Sequence, residues 1–172
     1  MTTNSISPAT EADIPALDKL VNSAYRGESS KKGWTTEADL LGGIRTNETN
    51  LRAMLQHVNA TILKYEEAGQ LVGCVYLEQK GDDLYLGMLT VSPTAQANGI
   101  GKQLMAAAEQ RANDLHCRAV TMTVITVRHE LIAWYERRGY RATGETKPFP
   151  NDPNFGLPKQ PLEFIVMEKA LA

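Results

Sequence analysis

A chain of 172 residues and 18.9 kDa is near the usual size of one compact domain, and its 42% hydrophobic and 22% charged residues suffice for an ordinary core. The 18 basic and 20 acidic side chains leave a formal charge of −2 and a pI of about 5.9, without the basic excess of a general nucleic-acid binder. The start, MTTNSISPATEAD, has no basic stretch leading into an apolar one, and no segment approaches the roughly 18 continuous apolar residues of a membrane span, so a soluble, cytoplasmic protein is expected.

Thr10 and Asp13 form a capping pair ahead of Ile14, Leu17, Leu20, Val21 and Ala24, whose spacing predicts a first helix to Tyr25. Arg26 to Trp34, with Gly27, Ser29, Ser30 and Gly33, reads as a mobile loop. Thr36 and Asp39 predict a second helix through Leu40, Leu41 and Ile44, interrupted at Gly42 and Gly43, and Leu51, Met54 and Leu55 predict a further helical turn before His57. From Ala60 the period becomes that of strands: Thr61 to Tyr65, Gln70 to Leu77 and Leu84 to Val91, the first two joined by a turn at Glu66 to Gly69. Three strands with short turns predict an antiparallel meander.

Pro93 stops the third strand, and Gly99 to Leu115 places Ile100, Leu104, Ala107, Ala108, Ala112 and Leu115 on one face of a long helix. Ala119 to Val127 is rich in β-branched residues, and Glu130 to Arg138 returns to helical composition before Gly139. Thr143 to Pro161 holds five of the 8 prolines and predicts a long loop without regular structure, followed by a closing strand at Leu162, Phe164, Val166 and Met167. The expected fold is mixed α/β, with about six to seven strands and about four helices.

Cys74 and Cys117 lack a CxxC spacing, and His57, His116 and His129 have no metal-binding interval, so neither a disulfide framework nor a metal is expected. The run from Gln96 through Ala97, Asn98, Gly99, Ile100 and Gly101 to Lys102 lies at the mouth of the long helix, where free N–H groups and two glycines suit phosphate oxygens. A P-loop would need Gly at Gln96 and Ser or Thr at Gln103, and a dinucleotide fingerprint would need Gly at Leu104; both fail.

The same run resembles the acetyl-CoA motif of the GNAT superfamily of N-acetyltransferases, (Gln or Arg)-x-x-Gly-x-(Gly or Ala) after a strand ending apolar-x-apolar-x-Pro. Gln96, Gly99 and Gly101 match the first part, and Leu89, Val91 and Pro93 the second. Val124 to Tyr140 looks like the family's later motif, through Trp134, Tyr135, Glu136, Gly139 and Tyr140. The resemblance follows the element order of essentially the whole chain and is strongest between about residues 70 and 141. It implies one GNAT-like domain over residues 1–172, with a mostly antiparallel twisted sheet flanked by helices, and acetyl-CoA as acyl donor.

The donor's implied seat comprises Leu89, Thr90, Val91, the Gln96 to Lys102 run and Arg128, the last standing where the family often has Asn. The implied reaction is direct acetyl transfer, in a ternary complex, to a primary amine of a small molecule or peptide. Acyl transfer needs an oxyanion donor and a proton for the departing thiolate. The Leu89 N–H suits the first role, with Gly87 permitting a bulge that opens the strands, and by position Tyr135 suits the second. Glu78, Glu28 and His129 are side-chain candidates for a base, a water chain or an amine arriving in its neutral form is equally compatible, and no base is assigned. Neither cysteine is expected to serve as an acyl carrier. Tyr25, Trp34, Phe149 and Phe155 supply aromatic surface for the acceptor, while Arg26, Lys31 and Lys32 against Glu28 suit an anionic acceptor or the donor's phosphates. The alternative is a non-catalytic acyl-CoA sensor or scaffold of the same fold. No nucleic-acid or membrane partner is expected, and a homodimer is left open.

Overall fold

The computed structural model describes residues 4–25, 41–42, 46–93, 95, 99–149, 157–158 and 162–171. Strand β1 (Asn4–Pro8) leads through a 3-10 turn (Glu11–Asp13) into helix α1 (Ile14–Tyr25). The Thr10 backbone N–H donates to the Asp13 carboxylate (2.8 Å), as the capping pair predicts. Then come β2 (Leu41–Gly42), α2 (Glu48–Gln56), β3 (Ala60–Glu67), β4 (Gln70–Lys80) and β5 (Asp83–Val91). Helix α3 (Ile100–Asp114), β6 (Ala119–Ile125), α4 (His129–Glu136), β7 (Arg141–Pro148), β8 (Leu157–Pro158) and β9 (Glu163–Ala170) complete the order.

Seven strands form one sheet in the order β1-β3-β4-β5-β6-β9-β7, and β2 pairs with β8. Every pairing in the large sheet is antiparallel except β5–β6. Alternation along the strands divides the core between its two faces. Val75, Leu77, Leu84, Leu86, Val120, Met122 and Val124 pack with Ile100, Leu104 and Ala108 of α3 and with Tyr135 of α4. On the other face Ile62, Cys74, Tyr76 and Met88 pack with Leu17, Val21 and Ala24 of α1 and Leu51 of α2. Both cysteines are buried and form no disulfide, and among the described residues no helix is long and apolar enough to cross a membrane.

The sequence expectations need three corrections. Leu41 and Gly42 are extended and paired with Pro158 and Leu157, not helical. The local signal at Thr36 competes there with two adjacent glycines, which weaken a helix, and with backbone hydrogen bonds to a distant segment. The stretch from Thr143 is not a loop throughout. Residues through Pro148 form β7, an edge strand paired only with β9 and bulged between Ala142 and Thr146, and a proline at the end of an edge strand costs no ladder bond. Strand β1 went unpredicted because Ile6 is its only large apolar residue and its partner, β3, lies far along the chain.

Candidate active site

The parallel pairing of β5 and β6 extends over only three residue pairs, from Asp83–Ala119 to Tyr85–Thr121. Beyond Tyr85 the strands separate, and the gap opens into a cavity of about 320 Å³ lined by Leu86 to Leu89, Met122 to Ile125, Arg128, Leu131 and Tyr135. Tyr25, Tyr85, Phe149 and Phe164 complete its apolar wall, and Lys80 and Lys147 supply the other charged side chains.

The separation coincides with a bulge in β5. Between the Cys74–Thr90 and Tyr76–Gly87 pairs, Met88 and Leu89 stand opposite Val75 alone. The residue that takes the left-handed conformation is Met88, at φ 53°, which corrects the expectation placed on Gly87. Gly87 serves the site differently: a Cβ there would come within 3.0 Å of the Tyr85 ring. Two hydroxyls hold the strained turn. Thr90 Oγ1 donates to the Met88 carbonyl (2.8 Å), and the Tyr25 hydroxyl donates to the Leu89 carbonyl. Tyr25, expected as acceptor-facing aromatic surface, is therefore buried and tied to the bulge while its ring still borders the cavity.

Tyr135 is 6% exposed, with its ring edge-on to Trp134 (5.2 Å) and Tyr140 (6.1 Å). Its hydroxyl has no hydrogen-bond partner among the described residues and borders the gap. Burial pushes this phenol well above its usual range, with the Tyr25 phenol adding to the shift and the Arg128 guanidinium opposing it. Arg128 is the N-cap residue of α4, half-buried, and in the cavity wall.

At the far end of β5, Gly99 caps α3 at φ 73°, and apart from its chain neighbours no described residue comes within 4 Å of where a Cβ would stand. The first turn of α3 therefore presents free N–H groups beside open space. The Ile100 side chain is fully buried in the core and Gly101 is buried as well, so only their backbone faces that space. Lys102 is exposed and lies in a separate hollow along α3 with Glu109, Arg137, Arg138 and Lys169. Gln96, Ala97, Asn98, Trp34, Phe155, Glu28 and the basic residues Arg26, Lys31 and Lys32 lie outside the described residues.

Of the remaining base candidates, Glu78 accepts a hydrogen bond from the Tyr76 hydroxyl (2.6 Å) and lies 3.8 Å from His57 Nε2, away from the cavity wall. His129 is exposed at the start of α4. Sequence reasoning missed Lys80, Tyr85, Thr123, Lys147 and Phe164 in the wall. A usable signal existed for Tyr85, which shares the alternate face of β5 with Gly87, whereas Lys147 fell in the stretch read as a loop.

The sequence model of the acetyltransferase (GNAT) domain matches residues 40–151. The chain belongs to the GNAT family. Among solved structures, the ribosomal-protein-alanine N-acetyltransferase from Brucella melitensis is 24% identical with a TM-score of 0.73, the match covering 97% of this chain and 99% of that one. The PaiA N-acetyltransferase from Thermoplasma acidophilum, in complex with coenzyme A, is 15% identical with a TM-score of 0.70, covering 98% and 99%. At these identities the likeness concerns the GNAT fold. A curated relative, the uncharacterised protein YdhI of Bacillus subtilis (strain 168), is 27% identical over 75 residues, 44% of this chain and 46% of that protein. The chain thus spans about half the length of the curated relative it matches.

Proposed function

We propose that residues 1–172 form one acetyltransferase domain that moves an acetyl group from acetyl-CoA to a primary amine by direct attack in a ternary complex. The observation that carries this reading is the opening beyond Tyr85–Thr121, bordered by the β5 bulge on one side and by Tyr135 on the other. The residues fit the donor: the open first turn of α3 at Gly99 suits its pyrophosphate, as do the Gln96 to Asn98 backbone amides by sequence, and the edge of β5 at Leu89, Thr90 and Val91, beyond the last β5–β6 pair, suits its amide-bearing arm. Ile100 and Gly101 contribute backbone N–H groups, and Lys102 and Arg128 contribute cations. Bound there, acetyl-CoA supplies an activated thioester carbonyl.

The chain's own residues then have distinct tasks. The peptide between Met88 and Leu89, held by Thr90 Oγ1 on its oxygen, offers the Leu89 N–H to the carbonyl oxygen as negative charge develops. Tyr135, kept protonated by burial, donates its proton to the sulfur as the C–S bond breaks. Among the described residues no carboxylate lines the cavity, so the amine attacks in its neutral form and releases its proton to water. Phe149, stacked on Phe164 at 5.3 Å, and Tyr25 form the apolar acceptor wall.

Calorimetry with acetyl-CoA and CoA tests the donor site, beside Gly99→Glu, whose carboxylate repels a pyrophosphate and obstructs its seat. Micromolar binding by the wild type that is lost in the variant is expected. No binding by folded wild type refutes the reading. Thiol release with a panel of amines then tests turnover.

A further inference from the structure

We propose that the acceptor is an amine whose other end carries an anion, a carboxylate above all, and that Lys80 and Lys147 recognise it. This rests on the acetyl-transfer reading and names the substrate class of the same site.

The charged side chains in the cavity wall are Lys80, Arg128 and Lys147, with no carboxylate among the described residues. A second hollow adjoins the cavity on the open face of β6 and β9, and Lys80, Tyr85, Met122, Thr123 and Lys147 line both. The two lysines therefore stand at the junction, where the acceptor's body leaves the reacting centre. Of the two hollows, only the outer one has carboxylates among its described lining residues. Asp83 is held by Arg118 at 3.1 Å, and Glu145 and Glu168 line the outer hollow.

The donor's phosphates do not account for this charge. Lys80 pairs in register with Asp83, and the strand from Asp83 to Val91, the end that leads to α3, measures about 25 Å at a strand's rise per residue. Lys147 occupies the row Ile125–Phe164–Lys147, and Ile125, like Leu89, lies four residues beyond the last β5–β6 pair. Its level is thus that of the bulge. Among the described residues neither cation has a close ion pair. The nearest carboxylate oxygen to Lys80 Nζ is that of Glu78 at 3.9 Å, a loose contact, and Nζ lies 4.6 Å from the Tyr85 ring centroid. Lys147 has no ion pair among the described residues and is exposed. The aromatic surfaces between them and the gap suit the apolar spacer of such an acceptor.

Matched acceptors separate charge from shape: phenylalanine against its amide, ω-amino acids of increasing length against their amides, and Gly-Glu against Gly-Gln. The expected result is a kcat/KM about tenfold or more higher for at least one acid than for its amide, in line with a charge-assisted contact. The ratio should fall several-fold in Lys80→Gln and in Lys147→Gln, survive in Lys147→Arg, and shrink at about 1 M salt, where the screening length is only about 3 Å. Equal rates for acids and amides, or a preference for amides or dications, overturns the proposal. If acetyl-CoA binds but no amine turns over, calorimetry of the N-acetylated acids and amides on the CoA-bound protein decides in the same way: tighter acids support it, equal affinities or no binding overturn it. Failure to bind either acetyl-CoA or CoA is a separate outcome that overturns the donor assignment and this proposal with it.

Discussion

Met88 adopts a backbone conformation that its side chain disfavours by roughly 1–3 kcal/mol, and the hydroxyls of Thr90 and Tyr25 hold the two carbonyls of that turn. Thr90 is fully buried, so Thr90→Val leaves the Met88 carbonyl without its partner and should cost about 1–3 kcal/mol in urea denaturation, while Thr90→Ser keeps most of the stability. Turnover separates this positioning role from packing: kcat should fall in Thr90→Val with the affinity for acetyl-CoA little changed. Tyr135→Phe removes only a proton donor, and kcat should drop about 10²–10³-fold in a thiol-release assay while calorimetry shows retained acetyl-CoA binding. Burial raises the Tyr135 pKa, so the phenol remains protonated through neutral and mildly alkaline pH. The rate should accordingly rise with pH as the acceptor amine deprotonates, with no decline from Tyr135 below about pH 10. A pH–rate profile that falls between about 8 and 9 would assign the essential acid to another group.

Helix α3 reaches the site through a close approach to β4. A Cβ on Gly73 would lie 3.1 Å from Ile100 Cγ2, 3.2 Å from Leu104 Cδ1 and 3.2 Å from the Thr90 carbonyl oxygen. Gly73→Val should therefore push the first turn of α3 off the sheet, costing about 1–3 kcal/mol of stability and weakening CoA binding by calorimetry, although residue 73 touches no donor atom. The same elements explain what a sequence reveals and conceals. The 3.6-residue period at Ile100, Leu104 and Ala108 and the alternation through β3, β4 and β5 are local, strong and reproduced by the structure. Gly87 pointed to the place of the bulge but not to Met88 as its left-handed residue, because the turn is tied at the Leu89 carbonyl by Tyr25, a residue on α1 that no local pattern relates to it. Strand β7 was hidden by counting prolines across a segment in which Arg141 to Lys147 contains none. Lys80 of β4 and Lys147 of β7 line one hollow from strands far apart along the chain, and spacing along a sequence carries no trace of that.

At the scale of the molecule, Lys64 on β3 fastens the start of α1 to the sheet, with its Nζ 3.0 Å from the Asp13 carboxylate. Partial burial opposes ionisation of Asp13, but the Thr10 N–H and Lys64 outweigh it, and the folded-state pKa lies below the usual 3.8. Because the folded form binds the proton less readily than the unfolded one, this contribution is full above pH 3.8 and is lost as pH falls through the folded value. Asp13→Asn should be less stable than the wild type near neutrality, with the difference shrinking in urea melts as the pH is lowered toward about 3. The large sheet is in effect two sheets joined at three residue pairs, one carrying α1 and α2 and the other ending at β7. Beyond the last β5–β6 pair each bank of the opening is a strand edge in the middle of the sheet, and such an edge is a template for any extended chain that can reach it. A donor that occupies the opening blocks that template. The ligand-free protein should therefore self-associate on heating or storage more readily than the CoA-saturated protein, and light scattering against CoA concentration would measure how far the substrate acts as a guard against aggregation.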